Sequence, residues 1–344
     1  MKNKALKITL TVVVSIVLVV IMLLALVKIG ERILFTSFFV NSTTEFKVPG
    51  VSDGLVQQGF TYLEDKEMFL VTGYMKKDNR SSRVYRVDKN GDSQGYVKLR
   101  NSDGTSNTTH AGGIAVYGDF VYVATAAKTK ESITTIEVFK LDDVLTKDKA
   151  NCIGKIDVKM APAFLYVDNE KNLLYVGNFH KDGTDYTSPE SHKVTTPNGE
   201  NNTAMIAVYD LDKANSKGFG LKDNNPEYAY SITNMVQGMT IAGDRLVLST
   251  SYALAKSHLY IYDFKKVNES QTGTTTAFGD EIKLYYVDTT SLIKDVKAPP
   301  MAEELVYLDG KVFIMNESAS AKYIFGRFTS GNYVHAYKID KIDK

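Results

Sequence analysis

Three groups of side chains in this 344-residue chain carry reactive atoms at spacings that could support chemistry. His110 stands in the segment NTTHAGG, just before Gly112 and Gly113. An imidazole there could serve as a base, a donor to a ligand or a metal ligand. It could equally hydrogen-bond the backbone where two structural units meet. Asn178, His180 and Asp182 alternate in GNFHKD, so in a strand all three lie on one face. That face could offer oxygen and imidazole to a divalent metal, or it is a polar strand end entering a loop. Glu303 and Glu304 are adjacent, and in a regular strand only one of them can face a given side. Hydrolysis by paired carboxylates needs two carboxyls roughly 5–10 Å apart across a site, and Glu317 is the candidate second one.

Other pattern matches fail on context. GDSQG (residues 91–95) fits the nucleophile-elbow formula, but that motif needs a strand-to-helix turn, and here it lies between two strand-like runs. DKNGDSQG opens like a calcium loop, yet its twelfth position is Leu99 rather than a bidentate Glu. The chain has no phosphate-loop motif, paired-cysteine knuckle or dinucleotide fingerprint. Cys152 is the single cysteine, which rules out an intramolecular disulfide; in CIGKIDV it reads as a small buried residue.

The elements that must position these residues recur. An apolar run, a tight turn, a second apolar run, a polar insert and a third run begin at Gly59, Gly113, Phe164, Gly238 and Glu304. The spacings between copies are 54, 51, 74 and 66 residues. The turns EDKE, YGD, DNEKN, AGD and LDG hold Asp, Asn and Gly, which tolerate the positive φ of tight hairpins. Polar inserts at 181–203, 214–226 and 267–280 read as surface loops. A four-stranded unit at this period is a propeller blade. The fifth copy has only three strands, and TTEFKVPG (residues 43–50) is left over at the other end of the repeats. If that segment pairs as the outer strand of the last blade, a ring of five closes and an open sheet edge disappears. Six blades, with one hidden in the inserts, is the alternative.

Residues 43–340 therefore resemble β-propellers through repeats such as GIAVYGDFVYVATA and GMTIAGDRLVLSTS, within the broad group of lactonase-like and YncE-like propellers. That group includes hydrolases, binding modules and scaffolds. The resemblance implies that two sets of loops converge on one mouth of the central channel. Loops from one blade's outer strand to the next inner strand would bring Gln57, Gln58, His110, Gln237, Glu303 and Glu304. Loops between second and third strands would bring Tyr74, Asn178, His180, Ser251, Tyr252, Asn316, Glu317 and Arg327. Polar groups at a channel rim are the default binding site, although Gln and Gly at strand entries also serve backbone satisfaction and close packing at the axis. Lactonase-like enzymes hold a channel calcium with Glu and Asn side chains, which Glu304, Asn178 and Asn316 could imitate.

Composition narrows the classes further. The net charge of +1 gives no reason to expect a nucleic-acid partner. Residues 8–27 (ITLTVVVSIVLVVIMLLALV) carry no charge and, at 1.5 Å per helical residue, reach ~30 Å, the thickness of a bilayer's apolar core. Lys2, Lys4 and Lys7 precede them, which predicts a cytoplasmic N-terminus. The run is longer than the core of a cleaved signal peptide. The reading is a cytoplasmic tail at 1–7, a signal anchor at 8–28 in the plasma membrane, a stalk at 29–42 and an extracytoplasmic propeller at 43–344. Its expected role is to bind or scaffold a glycan, small molecule or partner protein. The competing reading is a hydrolase or lyase at the channel mouth, metal-assisted if calcium sits there.

Overall fold

The computed structural model describes residues 2–76, 79–126, 135–270 and 272–339; Met1 and residues 340–344 of the expected domains lie outside it. Five sheets are arranged in a ring. In blade one the strands are Leu55–Leu63, Met68–Met75, Arg83–Asp88 and Ser93–Arg100, from the axis outward. Blade two uses His110–Tyr117, Phe120–Ala126, Thr135–Lys140 and Gly154–Asp157. Blade three uses Phe164–Asp168, Leu173–Gly177, Ala204–Asp210 and Tyr228–Ile232, and blade four Val236–Ala242, Arg245–Thr250, Ser257–Asp263 and Leu292–Ala298. Blade five takes Ala302–Leu308, Lys311–Asn316 and Tyr333–Lys338 from the C-terminal end. Its outer strand, Ser42–Lys47, comes from before blade one and pairs antiparallel with Tyr333–Lys338. The ring is closed as the repeat count requires, with five blades.

The cores confirm the count independently. Five apolar clusters lie one to each junction between neighbouring blades. Val71, Phe69 and Tyr85 of blade one meet Phe313 and Met315 of blade five, for example, and Tyr122 and Ile136 of blade two meet Leu174 and Met205 of blade three. Each blade is thus buried on both faces. This is why its middle strands read as continuous apolar runs rather than as an alternation; in Phe120–Ala126, Val121, Tyr122, Val123 and Ala124 are all buried. All five turns between first and second strands contain a residue at positive φ: Glu67, Gly118, Asn172, Gly243 and Asp309. Blade one departs from the expected chemistry, placing a glutamate there.

Two of the three inserts are not plain loops, and within 181–203 the short strands Val194–Thr195 and Asn201–Asn202 pair antiparallel. After the helix Phe264–Glu269, the strands Thr272–Phe278 and Asp280–Tyr286 form a hairpin, and the second pairs in parallel with Tyr228–Ile232. Blade three is therefore six strands wide. The Thr- and Gly-rich composition of 267–280 disguised a strand that borders solvent on alternate residues. Lys149–Asn151 likewise adds a parallel fifth strand to blade one. GDSQG is a hairpin turn between Arg83–Asp88 and Ser93–Arg100, as its context demanded.

At the N-terminus one helix runs Lys2–Leu34 without a break, through much of the expected stalk. Residues Ile8–Leu34 are long and apolar enough to cross a membrane. A short helix, Thr36–Phe39, follows and buries Phe38 and Phe39 between blades four and five.

Candidate functional site

The inner strands begin on one face of the ring, which we term the mouth. Four of the five carry a break in register there: between Gln57 and Gly59, Ala111 and Ile114, Val236 and Gly238, and Ala302 and Leu305. A bulge inserts an extra residue and re-aims its neighbours. The consequence is clearest in blade five. Glu303 and Glu304 are both buried, 3 % and 1 % exposed, although a regular strand would turn them to opposite sides. The bulge lets both neighbours be buried, which a Glu-Glu pair alone does not announce.

Glu304 occupies the axis. Its Oε2 accepts from the backbone N–H of Phe60 (2.7 Å) and Ile114 (3.0 Å), and its Oε1 from that of Leu165 (2.8 Å). One side chain of blade five thereby ties together the inner strands of blades one, two and three. Space is scarce around it. A Cβ on Gly113 would lie 2.6 Å from Glu304 Oε1 and 2.6 Å from the Phe164 Cα, and a Cβ on Gly238 would lie 2.5 Å from the Glu304 Cα. Burial pushes the Glu304 carboxyl up to about 8, while the three N–H groups pull it down. Glu304 is a structural hub; it is not solvated. Side-chain hydroxyls add similar ties between blades: Thr72 Oγ1 donates to the Gly112 carbonyl, and Ser249 Oγ to the Glu303 carbonyl.

A second cluster lies at the mouth. The His110 Nε2 and Gln58 Oε1 are 2.8 Å apart, and the His110 ring stands 4.1 Å from that of Tyr74, centroid to centroid. The Lys322 ammonium donates to the Tyr74 hydroxyl at 3.2 Å. Glu317, 8 % exposed, accepts no hydrogen bond from its carboxyl among the described residues, and Glu303 receives one long contact, from Gln237 Nε2 at 3.5 Å. Burial pushes Glu317 up to about 7, against the Lys322 charge. Burial, then the carboxylates of Glu317 and Glu304, hold Glu303 well above the usual range, with Lys322 acting against them. Gln58, His110, Gln237, Glu303, Glu317 and Tyr74 are thus assembled, and Lys322 joins them. Lys322 was missed by sequence reasoning because it sits in the polar run SASAKY, which has no periodicity to place it.

The other expected site residues serve the framework. Asn178 Nδ2 donates to Ser188 Oγ and its Oδ1 accepts from Met205 N–H, while His180 Nδ1 accepts from Ser188 N–H and its Nε2 meets Asp182 Oδ1 at 3.0 Å. These two residues hold the long loop of blade three. Asn316 Nδ2 donates to the carbonyls of Pro299 and Pro300, its own carbonyl accepts from Gln57 Nε2, and Arg327 bonds the carbonyls of Ala319 and Val51. Ser251 is buried and its N–H donates to Met235 O; Tyr252 is partly exposed beneath the Lys181 ammonium. The channel calcium implied by the lactonase-like resemblance does not fit. Both Glu304 oxygens accept from N–H donors, Asn178 Oδ1 accepts from the Met205 N–H, and the Asn316 amide is turned to the Pro299 and Pro300 carbonyls. His180 likewise has both ring nitrogens occupied. Among the described residues no group of three His, Cys, Asp or Glu side chains is disposed to hold a metal. Cys152 is buried, and burial pushes its thiol up.

No family model and no curated protein matches the chain. Solved structures do. They include the WD40 β-propeller domain of Doa1 (9% identity, TM-score 0.39, covering 83% of this chain and 79% of that one). BamB from Moraxella catarrhalis is another (7%, TM-score 0.33, covering 83% and 84%), and a nidogen/laminin complex a third (10%, TM-score 0.38, covering 76% and 73%). At these identities and TM-scores the likeness carries no argument, and the fold rests on the strand order of the chain itself. The molecule is a five-bladed β-propeller preceded by one apolar helix, an architecture suited to binding or scaffolding.

Proposed function

We propose that this chain is a membrane-anchored binding module whose channel mouth holds a hydroxyl-rich ligand, such as the end of a glycan, on the outer side of the plasma membrane. The observation that carries this reading is the shortage of donors around two buried carboxyls. Among the described residues the Glu317 carboxyl accepts no hydrogen bond and that of Glu303 only a 3.5 Å contact, and neither is among the fully enclosed polar atoms that lack a partner, so both carboxyls border solvent at the mouth. Ligand hydroxyls would supply those donors. Gln58, Gln237 and His110 add amide and imidazole groups, and the Tyr74–His110 ring pair offers an apolar face of the kind that sugars stack on. The test is a glycan-array screen of the full chain in detergent. Retained glycans should be lost, about tenfold or more in affinity, in Glu303→Gln. A blank array, or binding indifferent to both Glu303→Gln and His110→Ala, sinks the idea.

A second reading is a hydrolase or lyase at the same place, favoured by the Glu317 carboxyl pushed up to about 7, where a group can both give and take a proton near neutrality. Turnover of any retained glycan, with an alkaline limb lost in Glu317→Gln, would select it.

A further inference from the structure

The anchor helix does not leave the propeller at an arbitrary angle, and its direction determines which face meets the membrane. Phe38 stacks on Tyr337, toward the end of the third strand of blade five that lies away from the mouth. The Arg32 guanidinium, seven residues before Phe39 in sequence, covers the Phe39 ring, which also meets His335 in mid-strand. Then the buried Glu31 carboxylate accepts from Ser330 N–H (2.8 Å) and Ser330 Oγ (2.7 Å). Ser330 belongs to the loop between second and third strands, on the mouth face. Lys28 lines the same small crevice with Thr329, Ser330 and Tyr333. Read backwards, the chain climbs the edge of blade five toward the mouth, and the unbroken helix then carries residues 8–27 a further ~30 Å beyond it.

The loops on that face carry exposed apolar side chains. Tyr186, Tyr252, Leu254 and Phe328 are 45 %, 36 %, 66 % and 45 % exposed, and they belong to the second-to-third-strand loops of blades three, four and five. Aromatic and aliphatic side chains beside lysines are what the bilayer interface accommodates, and Lys181, Lys256 and Lys322 stand among them. Asp182, Asp185 and Glu190 lie on blade three's loop, so attachment rests on the apolar side chains rather than on net charge.

We infer that the mouth face of the propeller is turned toward the membrane in which its own helix is anchored, with Tyr252, Leu254 and Phe328 in the lipid interface, so that a hydroxyl-rich ligand reaches the mouth from among the lipid headgroups. The inference rests on the anchor reading and goes beyond it, since an anchor alone leaves either face free. The Glu31–Ser330 contact and the buried Phe38–Phe39 pair remove the swivel that a flexible stalk would allow.

The full chain is reconstituted into phosphatidylcholine–phosphatidylglycerol vesicles with an environment-sensitive fluorophore on Leu254→Cys, Phe328→Cys or Tyr186→Cys. Tyr307→Cys, exposed at the far end of blade five's inner strand, is the control. Cys152 can stay, because it is buried and its thiol is held protonated. Lipids spin-labelled near the glycerol should quench labels at 254 and 328 about twofold or more, and leave the label at 307 unaffected. Equal quenching at all positions, or quenching at 307 alone, overturns the orientation while the anchor stands. Failure of the chain to float with the vesicles overturns both.

Discussion

Glu303 and Glu304 are neighbours in sequence, identical in type and equally hidden from water, yet the molecule uses them in opposite ways. Glu304 is surrounded by backbone N–H groups of three other blades, so its burial is matched by donors. Glu303 faces Glu317 and one distant amide, so its burial is not. A buried carboxyl with a full complement of backbone donors holds a fold together, whereas one at the rim without them is left to water, a ligand, a proton or a cation. The one-residue bulge at the start of the strand separates the two roles.

The largest test of this contrast is Glu304→Ala. Three N–H groups would lose their acceptor in a closed axis, and at about 1–3 kcal/mol for each orphaned donor the loss is roughly 3 kcal/mol or more. Urea unfolding followed by circular dichroism reads it directly. Glu303→Ala should lose far less. Equal losses would mean that the axis has other acceptors, and the contrast would collapse. Next in size is Gly113→Ala. The new methyl group would press on both Glu304 Oε1 and the backbone of Phe164, with an expected loss of about 1–3 kcal/mol from overpacking. An unchanged midpoint would show that the axis can widen, and that Glu304 is not clamped in place. Smaller again is Glu303→Gln, which removes charge but keeps shape. Replacing an unpaired buried charge by a neutral isostere is neutral or stabilising, so at pH 8 the variant should unfold no earlier than the natural chain while binding at the mouth is lost. A clear destabilisation would reveal a donor for Glu303 and would dissolve the distinction.

The ring itself was legible because repetition averages over local ambiguity. Five copies of run, turn and run identify a blade even where one turn departs from rule, as at Glu67, and the unmatched N-terminal segment announced the closing strand. The site was legible only by position. Gln58, His110, Gln237 and Glu317 reach the mouth because inner strands begin there, which topology alone implies. The division of labour between Glu303 and Glu304 was hidden, because it depends on a register break that no single residue type encodes. The surroundings of Asn178 and His180 were hidden for a related reason. Alternation places side chains on one face, but their partners, Ser188 and Met205, arrive from 8 to 27 residues away along a loop whose course has no period. The hairpin at 272–286 was lost because an edge extension half open to solvent has the composition of a loop.

The finest test asks for protons. Glu317, Glu304 and Glu303 are all raised by burial above their ordinary value of 4.5, Glu317 to about 7 and Glu304 to about 8. Between these limits the folded chain holds more protons than the unfolded one, so this part of the stability is complete below 4.5 and disappears as pH rises through the folded values. His192, pushed down to about 4 by burial, and His335, lowered by burial as well, act in the opposite sense, losing stability as pH falls below 6.5. Above 6.5 only the carboxyls remain in play. The urea midpoint of the natural chain should therefore fall between pH 6.5 and 8, with about 1 kcal/mol of the fall belonging to Glu317. In Glu317→Gln the decline should shrink by that amount. A flat profile in the natural chain would mean that none of the three carboxyls, Glu304 included, is raised by its burial, and the pH argument would fail for both neighbours alike.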